Sequence, residues 1–195
     1  MRICALPHRL WSPRVKLSAT LAVGRDAIDL PRQWREASHV FLQPHRDVFE
    51  LPEPIIESLF EVMSGTRRHE FQLTTLHPDR AVRMPKTAWA PNIWVGALIV
   101  GDEDSSRLEA LKQVPCAVHF AHLRPSAAVP TLDLAGLDFV VVEHDGEPSG
   151  LPALEEQCEA SGLRLFMGRR AQDAETRVDN GSALMRRATH SPRRG

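Results

Sequence analysis

Short apolar runs recur along the chain, separated by stretches that carry an apolar residue every third or fourth position. The runs at 39–43 (HVFLQ), 69–75 (HEFQLTT), 92–100 (NIWVGALIV), 116–123 (CAVHFAHL), 137–144 (LDFVVVEH) and 163–168 (LRLFMG) have strand length. Four of them are nearly unbroken rather than alternating, the mark of strands covered on both faces. Residues 53–65 (EPIIESLFEVMSG) put Ile56, Leu59, Phe60 and Met63 on one helical face, with Pro52 and Pro54 at the first turn and Gly65 at the stop. A short basic turn of helix is expected around Pro78 to Met84. The segment 102–114 (DEDSSRLEALKQV) opens on acids that complement a helix dipole, and 151–162 (LPALEEQCEASG) sets Leu154 and Cys158 on one face with Gly162 after the C-cap. Strand–helix alternation predicts an α/β fold, a parallel-stranded (β/α) sheet of about six strands, open or curled into a partial barrel.

The flanks differ from this middle. Residues 1–38 read as a Pro- and Arg-punctuated lead-in, 39–168 as the α/β domain, and 169–195 as a flexible, solvated tail with seven arginines and three acids. At 195 residues the chain is long enough for one core. Its net charge of −1 supplies no overall field toward nucleic acid or membrane. Nothing approaches the roughly 18 consecutive apolar residues of a membrane span. The segment Leu17 to Gly24, behind Arg14 and Lys16, is short and internal, and reads as structure rather than as a secretory signal. Cys4, Cys116 and Cys158 form no CxxC pair. Cys116 and Cys158 read as small buried apolar groups, and a reduced, cytoplasmic setting is expected.

In parallel α/β folds ligands bind at the C-terminal ends of the strands. Those ends supply His45, Arg46 and Asp47; Thr74, Thr75 and His77; Asp102 and Glu103; His122 and Arg124; and Glu143, His144 and Asp145. Such histidines and carboxylates are the chemistry of a divalent metal site or an acid–base pair. Loops leaving buried strands are polar by necessity, however, and no compact ligand motif such as HExxH sharpens the set. Asp102 to Asp104 read as helix-start acids, His119 as a satisfied interior histidine, and Trp89 and Trp94 as packing. There is no phosphate-binding glycine loop and no Gly-x-Ser-x-Gly elbow. The tail arginines Arg186, Arg187, Arg193 and Arg194 are the residues through which a basic arm would touch phosphates.

From about Pro31 to Arg170 the order and spacing of HVFLQPHRDVFELPEPIIESLFEVM, HEFQLTTLHPDR, PNIWVG, VPCAVHFAHLRP, LDLAGLDFVVVEHDGEPSG and LEEQCEASGLRLFMGRR resembles a phage and prophage family. It is named after gene products thirty-seven and sixty-eight and grouped with radical S-adenosylmethionine enzymes. The resemblance implies a radical-SAM-like (β/α) barrel. Its members open with three cysteines for a [4Fe–4S] cluster; here the matching region is shortened and holds only Cys4. The polar rim departs as well. The pattern Thr-Lys-Arg-Pro becomes Thr75-Leu76-His77-Pro78, an acidic position becomes Val100, and Glu-Pro becomes Arg124-Pro125. Gly-Gly-Glu-Ser becomes Glu143-His144-Asp145-Gly146, and a lysine becomes Gly168, while Asp47, Thr75, Pro78, Asn92, Trp94, Gly96 and Pro125 match. The expectation is a chain with no iron–sulfur cluster, S-adenosylmethionine or metal, acting as a binding or regulatory subunit for a protein or small-molecule partner. The alternatives are a cluster-independent enzyme using His45, His77, His122, Glu143, His144 and Asp145, and a nucleic-acid-associated protein using its basic tail.

Overall fold

Each of the six apolar runs folds as a strand in the computed structural model, which describes residues 15–17, 28–42, 47–125, 127–144, 148–169 and 186–187. In chain order the elements are β1 (Val15–Leu17), α1 (Leu30–Gln33), β2 (His39–Leu42), α2 (Glu53–Gly65), β3 (Glu70–Thr75), α3 (Pro78–Val82), β4 (Ile93–Ile99), α4 (Ser106–Leu111), β5 (Val118–Leu123), β6 (Phe139–His144), α5 (Leu151–Ala160), β7 (Arg164–Arg169) and β8 (Arg186–Arg187). Strand order in the single sheet follows chain order. The strands β1 to β7 run parallel, and β8 closes the series antiparallel to β7. Successive right-handed crossovers that always advance in one direction keep the helices on one face and curl the sheet. The result is the expected α/β partial barrel. Among the described residues no helix is long and apolar enough to cross a membrane.

Strand alternation divides the buried side chains into two groups. On the helix-covered face lie Val40, Leu73, Val95, Ala121 and Val140, packed with Phe60, Met63, Leu108 and Leu154 from the helices. The concave face carries a second cluster of Phe41, Trp94, Phe120, Phe139 and Val141. Phe120 and Phe139 stack at 4.8 Å, and the edges of Trp94 and Phe166 meet Phe139 at 6.2 and 5.7 Å. Burying one such ring contributes roughly 1.5–3 kcal/mol. Residues on both faces are buried, which is why these runs read as unbroken apolar segments. Gly96 is essential to the concave layer, because a Cβ there would lie 2.2 Å from the Phe120 ring.

Local chemistry sets the ends of the helices. The start of α2 follows from Pro52 and Pro54, as expected. Its end does not depend on left-handed glycine geometry at Gly65: Thr66 donates its hydroxyl to the Val62 carbonyl at 2.7 Å, and Asn92 donates to the Met63 carbonyl at 3.0 Å. After α5, Gly162 does take the left-handed conformation at φ 67°, and Leu163 N–H closes onto the Cys158 carbonyl at 2.8 Å. The segment expected as one helix over 102–114 is split into a 3-10 turn at Asp102–Asp104 and the shorter α4. Asp104 tightens this turn by accepting from Val100 N–H at 2.8 Å while pairing with Arg107 at 2.7 Å.

The remaining local readings fall into place. Cys158 is buried and Cys116 half-buried, and desolvation pushes both thiols up to about 11. Imidazole Nε2 of His119 lies 2.7 Å from the Val114 carbonyl, and Trp89 packs edge-on against Phe60. The apolar pattern predicted neither β1 nor β8. Cys4, residues 18–24 of the Leu17–Gly24 segment, and the tail arginines Arg193 and Arg194 lie outside the described residues.

Candidate functional site

Backbone register places the C-terminal rim of the concave face residue by residue. In one row across the sheet, Thr74, Gly96, Phe120 and Phe139 are neighbours. One step toward the strand ends come Leu98, His122, Val141 and Phe166. Past the paired Ile99 and Leu123, Arg124 N–H still donates to the Ile99 carbonyl at 2.8 Å, so the ladder runs on. Alternation then sets Val100, Arg124 and Glu143 side by side as the outermost concave row, with Leu76 beyond Thr74 on β3.

Within these rows four polar side chains form a chain of contacts. Thr74 Oγ1 and His122 Nδ1 share a hydrogen bond of 3.1 Å across β4, a span left open because Gly96 has no side chain. Imidazole Nε2 of His122 lies 3.4 Å from Glu143 Oε2, an ion-pair separation rather than a tight hydrogen bond. Arg124 donates to the same oxygen through Nε at 3.0 Å and Nη2 at 2.8 Å. His122 is fully buried, with the Phe41 ring edge-on at 5.9 Å, and Glu143 is 5% exposed. Burial alone would raise the Glu143 carboxyl. The neighbouring imidazole and guanidinium outweigh it and lower the group from 4.5 to about 2.

The other rim candidates go elsewhere. Buried Asp47 accepts from Phe49 N–H at 3.0 Å, from the Thr75 hydroxyl at 2.8 and 2.9 Å, and from Leu76 N–H. The Thr75 oxygen in turn accepts from His77 N–H at 2.8 Å, and His77 Nε2 lies 3.0 Å from Glu50 Oε1. Asp47, Thr75 and His77 thus come together as a clasp between the β2–α2 connection and the end of β3, with their bonding capacity turned inward. Asp102 accepts from Thr131 N–H at 3.1 Å, and Glu103 is exposed. His144 follows Glu143 on β6 and faces the opposite side of the sheet, and its Nδ1 has no hydrogen-bond partner among the described residues. His45, Arg46 and Asp145 lie outside the described residues. Among those described, no three metal-ligating side chains converge. The sequence put Thr74, His122, Arg124 and Glu143 at the rim but gave no sign that they touch. It marked Leu76 and Val100 only as departures from the resembling family and missed Leu98, and only counting alternation past the strand ends sets the three on one face.

Residues 5–179 match the model of a family described as a protein of unknown function, DUF5131. The chain belongs to the DUF5131 family. No curated protein and no solved structure gives a significant match.

The chemistry open to this DUF5131 member follows from burial. A hydroxyl, an imidazole and a carboxylate in that order are the parts of an activated nucleophile. Here His122 is wholly enclosed and Thr74 is 7% exposed, so the row offers little surface to a substrate. The rim above it is different. Arg124 is partly exposed, and Leu76, Leu98 and Val100 line the adjoining β3 and β4 ends with aliphatic surface.

Proposed function

We propose that this DUF5131 member is a cluster-free relative of radical S-adenosylmethionine proteins that works as a binding or regulatory subunit through its concave rim. The observation that carries the reading is the Arg124–Glu143 pair, in which two nitrogens converge on one buried carboxylate oxygen. Both residues stand where the resemblance to phage proteins breaks, and so do Leu76 and Val100 beside them. Departures that gather at one rim, with two of them bonded to each other, support a site remodelled as a unit rather than one eroded position by position.

The donor set does not fit an iron–sulfur cluster. Cys158 is buried in the outer core and Cys116 packs against it, and burial holds both thiols protonated near neutral pH. That leaves Cys4, one thiolate where the resemblance calls for three. Anaerobic reconstitution with ferrous iron and sulfide, followed by iron, sulfide and visible-absorbance measurement, tests this. The expected result is iron well below one cluster per chain, unchanged in Cys4→Ala. A stoichiometric cluster lost in that variant would overturn the reading.

A further inference from the structure

One buried ring, His69, holds both ends of a stretch of chain. Its Nδ1 lies 3.2 Å from the Ser38 amide nitrogen and its Nε2 lies 2.9 Å from the Pro31 carbonyl. A backbone N–H can only donate and a carbonyl can only accept, so these two partners fix the tautomer. The imidazole is neutral, with its hydrogen on Nε2 and a lone pair on Nδ1. It is fully enclosed, with the rings of Trp34 and Phe71 edge-on at 5.6 and 6.2 Å.

Ser38 marks where this stretch ends and the sheet begins. Its N–H goes to the imidazole, whereas its carbonyl accepts from Glu70 N–H at 3.0 Å, next to the ladder between β2 and β3. From Pro31 to Ser38 the chain is fastened through side chains. Arg68 reaches the carbonyls of Pro31, Arg32 and Trp34, and Arg32 pairs with Glu61 of α2 at 3.2 Å on exposed surface. Such attachments are weaker than a strand ladder, so the stretch can open while the sheet stays paired.

A proton on Nδ1 does not fit this arrangement. Two N–H groups would face each other at 3.2 Å in an enclosed place, and the Ser38 amide would lose its acceptor. The surrounding charges do not relieve this. Arg68, beside the ring, opposes a second cation, while His39 and Glu70 on the flanking strands pair with each other at 2.6 Å. Arg35, Glu36 and Arg67 are exposed. Burial holds the imidazole below its ordinary 6.5 and Arg68 adds to this, while the bond to Pro31 works the other way. Water reaching the ring in the opened stretch removes the burial penalty, so opening takes up a proton and is favoured as the pH falls below 6.5.

We infer that His69 is a proton-sensitive latch: protonation at Nδ1 releases residues 31–38 from the sheet as a unit while the strands stay paired. The inference is independent of the reading of the concave rim.

Amide hydrogen exchange of the isotope-labelled full chain, corrected for the intrinsic rate at each condition, tests the latch between about pH 7.5 and about pH 5. Protection at Ser38 should fall by up to about tenfold per pH unit once His69 titrates, while the amides of β4 and β5 keep theirs. The His69 ring resonances should shift over the same range. In His69→Gln, whose side chain takes up no proton there, Ser38 protection should be lower than in the wild type and level with pH. Protection at Ser38 that holds throughout, that falls together with β4 and β5, or that still falls with pH in His69→Gln would each overturn the inference. So would ring resonances that shift while Ser38 stays protected.

Discussion

Glu143 is tolerated inside the sheet because opposite charge reaches it there. Its carboxyl falls to about 2 in the folded chain against an ordinary 4.5. The stabilisation this implies is therefore complete above about pH 4.5 and is lost as the pH falls toward 2. The difference amounts to on the order of 3 kcal/mol. Urea unfolding at a series of pH values should show this loss in the wild type and a flatter profile over the same window in Glu143→Gln. At neutral pH, Arg124→Gln strands the carboxylate and should cost about 3 kcal/mol, part of which the double variant with Glu143→Gln recovers. Additive costs in the double variant would mean that the two groups are not coupled. At this scale the sequence misled through adjacency. Glu143, His144 and Asp145 look like one cluster, yet alternation sends Glu143 and His144 to opposite faces, and the partners of Glu143 lie at the end of β5 and just past it, nineteen residues away for Arg124. Only register makes such a neighbour visible.

The strands and the long helices were legible because their burial leaves a period in the sequence. An unbroken apolar run needs two covered faces, and the helices on one side and the aromatic layer on the other provide them. The split of 102–114 was not legible, because Asp104 serves equally well as a first-turn acid or as the acceptor that pulls the chain into a 3-10 turn. The strands β1 and β8 were missed for a related reason: three and two residues are too short to carry a period. Gly96 would pass for an unremarkable strand glycine, although the concave layer depends on it. Its missing side chain is the space that the Phe120 ring occupies, and that ring is fully buried with Phe139 stacked behind it, so it has nowhere to retreat. Gly96→Ala should destabilise by roughly 1–3 kcal/mol through overpacking. It should also disturb the Thr74–His122 hydrogen bond, which crosses the same gap. Denaturant unfolding measures the first effect, and the His122 ring resonances report the second. An alanine variant as stable as the wild type would show that the layer can repack.

For the molecule as a whole, acid should act through two buried groups with different onsets, the second lying at the start of β3. His69, just before β3, is enclosed, accepts from Ser38 N–H through Nδ1 at 3.2 Å and donates Nε2–H to the Pro31 carbonyl at 2.9 Å. Beside it Arg68 donates to the carbonyls of Trp34, Arg32 and Pro31, so the stretch from α1 to β2 is fastened to the sheet through these two residues. Desolvation lowers the His69 imidazole below its ordinary 6.5 and the Arg68 charge adds to this, while the bond to Pro31 acts in the other direction. Protonating Nδ1 would remove the lone pair that receives Ser38 N–H. A histidine lowered on folding gives stability that is complete above 6.5 and drains away as the pH falls below it, because the unfolded chain takes up the proton first. The Glu143 loss begins only below 4.5, so the two losses should differ in the pH at which they set in. His69→Gln should be less stable at neutral pH and should lack the upper step while keeping the lower one. Glu143→Gln should do the reverse. A loss beginning near 6.5 that survives in His69→Gln would place that part of the acid sensitivity in other groups and would leave the α1–β2 stretch held by Arg68 alone.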